Sequence, residues 1–287
     1  MAKTIRLRSS LPLFEPTNRH AILFNNYDRY PGYSQATNSN GNRSIYQLEA
    51  VLTGNIADGP EPIQPEFDWT IGTYYAHLFP KYREMRSGLV WDSVARVLFR
   101  TDMSDAHRRY CFPNVYFSES SDVARRRELL RDFPQPDMRD QLDDNIQRIS
   151  EASHDDTLTF VYLTSHAASG QVDHFVIDTY DSMGYQELLD KLDTIKGKKV
   201  VLAFLCYSGT LIDVFRERGT SEDYVILTSA NNKEEDWNWG RRDLDDLFRN
   251  NLLRKGRLSD LRIPRTVKVD RSSRQHPQMV GSFDVIL

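Results

Sequence analysis

The sequence predicts a three-layer α/β/α fold around a mostly parallel six-stranded sheet. Three observations carry that expectation. The chain has no proline between Pro136 and Pro264, so nothing interrupts regular structure across its centre. Within that stretch lie three nearly continuous apolar runs, TLTFVYLTS (157–165), KVVLAFL (199–205) and YVILTS (224–229). Strands apolar on both faces belong to a parallel sheet covered on both sides. The segments between the runs carry apolar residues at helical spacing, and strands alternating with such helices stack as α/β layers.

Each element has its own justification. AILF (21–24) opens the sheet as a short strand and leads into a polar loop. A helix is expected from SIYQ, where Ser44 and Gln47 have capping-box spacing. Residues 59–106 read as a helical insertion, in which GPEPIQPEFDW is a proline-rich linker. Its helix, YREMRSGLVWDSVARVLF, carries a stripe at Val90, Val94, Val97 and Leu98. A strand is expected near 114–117, then a helix at 138–152 with Met138, Leu142, Ile146 and Ile149 on one face. The strand at 157–165 is rich in Thr, β-branched and aromatic residues. A hairpin, GQVDHFVIDT, leads to a helix at 184–195 with the stripe Tyr185, Leu188, Leu189 and Leu192, stopped by Gly197. The strand at 199–205, a helix at 210–218 and the strand at 224–229 complete two more βα steps. A helix at 241–253, striped by Leu244, Leu247, Phe248 and Leu252, and a closing strand FDVIL end the chain. No internal repeat is present, so one domain spans 1–287 with the insertion at 59–106.

Composition narrows the function classes. The 287-residue chain is 39% hydrophobic and 27% charged, an ordinary globular balance. A net charge of -4 offers no global attraction to nucleic acid or to an anionic membrane. Arg6, Arg8, Glu15 and Arg19 interrupt the first twenty residues, which rules out the apolar core of a signal peptide. No segment approaches the roughly 18 apolar residues of a membrane span. The two cysteines, Cys111 and Cys206, form neither a CxxC pair nor a zinc quartet, and a free thiol without an export signal fits the cytoplasm. No strand runs into a glycine-rich phosphate loop, His107 and Cys111 alone make weak metal ligands, and no cofactor is expected.

In an open parallel sheet, chemistry collects where the strands end. The run 157–165 leads into His166, 199–205 into Cys206, and 224–229 into Ala230, Asn231 and Asn232. A strand-end Cys alone is an ordinary small buried hydrophobe. Here a His and a Cys occupy the same place on separate βα units, and that pair is what thiol-nucleophile hydrolysis needs. A cysteine version of the α/β-hydrolase elbow is disfavoured: Phe204 stands where that elbow wants Gly, and His276 is the His that follows the thiol.

The segments VYLTSHAASG and VVLAFLCYSG resemble the two catalytic signatures of the caspase-like cysteine proteases, the clan of caspases, metacaspases, legumain, separase and gingipain. HAILFNNYDRY resembles the first caspase strand, LTSANNKEEDW the loop after the fifth strand in legumain, and RQHPQMVGSFDVIL the closing strand of prokaryotic relatives. The resemblance covers roughly 20–56 and 110–287 and implies a caspase-like fold with thiol protease activity. It implies Cys206 as nucleophile, His166 as proton-transfer partner, and the backbone N–H groups of Ala167 and Cys206 as the oxyanion hole. The clan has Gly where this chain has Ala167, and a small or acidic pair where it has Phe204 and Leu205. KEEDWNWG resembles a shortened pocket loop, which implies Ser229, Asp236 and Trp237 as substrate-binding residues and Arg or Lys, rather than Asp, at the cleaved position. Arg29 or Arg43 supports the competing preference for Asp. The implied partners are a protein or peptide substrate and an activating protein partner, since no cleavage linker separates His166 from Cys206. The alternative is a catalytically silent caspase-like interaction module, with ARRRELLR (124–131) among its exposed features.

Overall fold

The computed structural model describes residues 4–25, 93–98, 138–168, 170–178, 181–219, 221–236, 256–268 and 274–287. In chain order, β1 (Asn18–Asn25) and β2 (Ser93–Leu98) precede α1 (Met138–Ala152) and β3 (Thr157–Thr164). A small antiparallel unit follows, made of β4 (Ala167–Ala168), β5 (Gln171–Asp178) and β6 (Asp181–Gly184). Then come α2 (Tyr185–Asp193), β7 (Lys198–Phe204), α3 (Gly209–Glu217), β8 (Tyr224–Thr228) and β9 (Gln278–Gly281).

The central sheet has the order β9-β8-β7-β3-β1-β2. Five of its strands run parallel, and β9 pairs antiparallel with β8 at the edge. From β1 the chain steps outward to β2, then crosses back to lay β3, β7 and β8 on the other side. The strand order therefore reverses between β1 and β3. In open α/β sheets the crevice beyond the carboxyl ends at such a reversal is where ligands bind.

Period-2 alternation explains why the sheet is buried on both faces. Ile22, Phe24, Val161, Leu163, Val201, Ala203, Tyr224 and Ile226 point to one core, which the helices cover. Ala21, Leu23, Leu158, Phe160, Tyr162, Val200, Leu202, Phe204, Val225 and Leu227 point to the other. The first core takes the α1 stripe Met138, Leu142, Ile146 and Ile149 and the α2 stripe Tyr185, Leu188, Leu189 and Leu192, all buried. Burying one such side chain is worth about 1.5–3 kcal/mol. Arg139 of α1 fastens the helices to the small sheet: its Nε and Nη2 donate to Asp181 at 2.6 and 2.9 Å, and it also pairs with Glu187.

The fold differs from expectation in three places. Ser93–Leu98 is a parallel strand beside β1 rather than part of a helix, and the rest of 59–106 lies outside the described residues. FDVIL does not join the central sheet; Asp284–Val285 pairs with Leu13–Phe14, and the sheet edge is Gln278–Gly281. Among the described residues, chain-end segments rather than α-helices cover the second core, through Leu7, Leu258, Leu261, Ile263, Phe283 and Leu287. The helices expected from Ser44 and at 241–253, and the strand at 114–117, lie outside the described residues.

Candidate functional site

Strands β3 and β7 pair from Leu158↔Lys198 to Thr164↔Phe204 without a break. His166 and Cys206 each lie two residues beyond the end of that pairing. Paired strands lie about 4.8 Å apart, so the two residues follow from the ends of adjacent strands. The backbone of β5 locks the first of them: Val176 N–H donates to the His166 carbonyl at 2.9 Å, and Ser165 Oγ donates to the Val176 carbonyl at 2.6 Å. His166 is 9% exposed, at the margin of the core.

Cys206 sits at the corner of a tight turn. Ser208 N–H donates to the Leu205 carbonyl at 3.2 Å, and Tyr207 has φ 57°, the positive angle that the third position of a type II turn requires. Among the described residues Tyr207 is the one non-glycine with positive φ. Holding an L-residue there costs about 1–2 kcal/mol, and Tyr207 N–H donates to the Glu234 carbonyl at 2.7 Å. The turn opens directly into α3. Gly209, the last residue of the CYSG signature, is needed for close approach: a Cβ there would meet the Asn231 carbonyl carbon and the Asn232 nitrogen, each at 2.6 Å.

The loop after β8 folds over this turn. Asp236 N–H donates to Cys206 Sγ at 3.2 Å. Fully buried Gln275 donates from Nε2 to Asp236 Oδ1 and to the Ser229 carbonyl, both at 2.7 Å. His276 N–H donates to Glu234 Oε2 at 2.8 Å, and its Nδ1 pairs with Glu234 Oε1. Ser208 Oγ accepts from Ala230 N–H at 3.1 Å. Residues 229–236 are thus braced from one side by the Cys206 turn and from the other by residues 275–276.

The electrostatics keep the thiol protonated. Burial first, then the Asp236 and Glu235 carboxylates, push the Cys206 thiol up to about 11, against the Asp236 N–H that favours the thiolate. The fully buried Tyr185 phenol is pushed up by burial and then by Cys206 and Asp173, so it lies within electrostatic reach of the thiol.

Of the residues read as functional, His166, Ala167 and Cys206 gather at adjoining strand ends, with Ala167 opening β4 opposite Phe175. Asp236 is buried beside Cys206. Ser229 is fully buried, its N–H donating to the Ala203 carbonyl at 3.1 Å. Trp237, Arg29, Arg43, His107 and Cys111 lie outside the described residues. Sequence reasoning missed Gln275 and the Glu234–His276 pair; a buried polar tie between residues so far apart leaves no periodic trace. Among the described residues, no three His, Cys, Asp or Glu side chains converge as metal ligands would.

No family model matches the chain, and no curated protein matches it. Among solved structures it is similar to the crystal structure of caspase-1 from Spodoptera frugiperda, at 12% identity and a TM-score of 0.41, over 100% of this chain and 96% of that one. At that similarity, the functional reading rests on the site itself. No helix among the described residues is long and apolar enough to cross a membrane.

Proposed function

We propose that the chain is a single-domain, caspase-like cysteine endopeptidase acting on protein or peptide substrates in the cytoplasm, with Cys206 as nucleophile and His166 as general base and acid. The observation that supports the reading is the unbroken β3–β7 register up to Thr164↔Phe204, with His166 and Cys206 each two residues beyond its end. Because burial holds the thiol neutral, a resident thiolate is not the resting state, and proton removal has to accompany attack. Cys206 Sγ bonds to the scissile carbonyl carbon while its proton passes to His166. The oxyanion is met by the N–H groups of Cys206 and Ala167, each such donor worth about 3–4 kcal/mol. His166 returns the proton to the leaving amine as the C–N bond breaks, and water then hydrolyses the thioester.

Ser229, Asp236 and Trp237 form the substrate-binding part, and the Asp236 carboxylate favours Arg or Lys at the cleaved position over Asp. The test is cleavage of a peptide library by the wild type and by Cys206→Ala. Cleavage after basic residues that disappears in the mutant is the expected result, and His166→Ala lowers the rate by about a hundredfold or more. Cleavage that survives in Cys206→Ala would refute the assignment. Cleavage after Asp instead of Arg or Lys would remove Asp236 from the pocket.

A further inference from the structure

A cleft of about 450 Å³ opens at the sheet edge, lined in part by Gln278 and Met279 of β9. Arg216 on the last turn of α3, Arg265, and His276 before β9 bring three basic side chains to it, with Thr266 and Gln278 as neutral polar neighbours. Ile5 and Met279 give it an apolar part, and no carboxylate is among its described lining residues. The chain as a whole carries a net charge of -4, so this cationic cluster is a local feature rather than a reflection of the surface.

The basic groups are free to take a ligand. Arg265 makes no ion pair among the described residues, and Arg216 faces Asp213 of its own helix at 3.7 Å with its side chain 57% exposed. His276 is tied to Glu234 through its N–H and its Nδ1, which leaves Nε2 as the ring atom available to a bound group. Donation from both nitrogens requires the imidazolium, so an anion in the cleft and the Glu234 carboxylate would hold the ring between them. Guanidinium forks match the oxygens of a phosphate two at a time. The volume exceeds that of a bare phosphate and falls within the range of about 300–1,000 Å³ typical of small-molecule sites, leaving room for an organic body against Ile5 and Met279.

We propose that this cleft binds a small phosphate-bearing molecule through Arg216 and Arg265, and that His276 links the ligand to the loop over Cys206. The link is a short chain of contacts: His276 holds Glu234, the Glu234 carbonyl takes the N–H of Tyr207, and two residues further the Asp236 N–H reaches the thiol. A ligand that fixes His276 steadies that loop and shields the thiol.

Calorimetric titration of the full chain with phenyl phosphate tests the site, with phenylacetate and a short phosphoserine peptide as parallel arms. Phenyl phosphate is expected to bind better than phenylacetate, and Arg216→Gln and Arg265→Gln each to weaken it by about tenfold or more. Arg262→Gln, an exposed arginine outside the cleft, should bind as the wild type does. No binding of phenyl phosphate, binding unchanged in both arginine variants, or binding confined to the phosphoserine peptide would overturn the site. The link is read by alkylation of Cys206 with iodoacetamide, which saturating phenyl phosphate should slow by about fivefold or more in the wild type but not in His276→Gln. Binding without any change in alkylation would overturn the link. Thiol alkylation needs no peptidase activity, so this outcome is independent of whether peptides are cleaved.

Discussion

Burial and the Asp236 carboxylate act on Cys206 in one direction, and the Asp236 N–H acts in the other; burial is the largest of the three. The pH dependence of Cys206 alkylation should therefore show its inflection near 11 rather than near 9. Asp236→Asn removes a like charge from beside the thiolate and lowers that inflection; a rise in the variant would contradict the cause assigned here. The same shift is a statement about stability. A thiol whose folded pKa is raised contributes stability that is present below about 9 and is lost as pH climbs toward about 11, because the unfolded chain ionises first. Two units of difference correspond to about 2–3 kcal/mol, so the stability of the wild type to denaturation should fall by roughly that amount across this window while that of Cys206→Ser does not. Gly209 answers to sterics instead. Gly209→Ala drives a methyl into the Asn231–Asn232 backbone and should cost about 1–3 kcal/mol in denaturant unfolding, with Cys206 alkylation altered as the loop shifts.

At the scale of elements, a residue set that repeats every three or four positions buries what it promises. Met138, Leu142, Ile146 and Ile149 were legible as one face, and α1 occupies Met138–Ala152 with all four buried. Ile146→Ala or Leu189→Ala should each destabilise by about 2–5 kcal/mol in chemical denaturation, since each leaves a cavity under α1 or α2. Exposed Gln186 and Gln147 serve as controls, with substitutions to Ala staying within about 0.5 kcal/mol. The strands β3, β7 and β8 were legible because they are apolar on both faces and longer than any competing turn signal. SVARVL was not: in six residues the pattern of Val94, Val97 and Leu98 suits a helical stripe as well as a strand, and pairing with β1 decides between them. QMVG at the edge lacks the β-branched density of an inner strand, and its place is set by antiparallel pairing with β8, a contact no local pattern encodes.

For the whole molecule, the order β9-β8-β7-β3-β1-β2 sets β3, β7 and β8 next to one another, and with them the strand ends that lead to His166, Cys206 and Ala230. The paired strand-end signatures were legible because each lies at the end of a readable βα unit. The bracing was not, since Gln275 and His276 meet Asp236 and Glu234 only once the chain has returned to the segment that leads into β9. The proposed chemistry is attack by Cys206 on a carbonyl with His166 as its proton partner. Its most direct test is intact-mass analysis after exposure to a peptidyl-arginyl acyloxymethyl ketone. One adduct is expected, on Cys206, that fails to form in Cys206→Ala and forms far more slowly in His166→Ala. A wild-type chain that iodoacetamide alkylates at Cys206 but the ketone leaves unmodified, or an adduct that forms equally fast without His166, would contradict it.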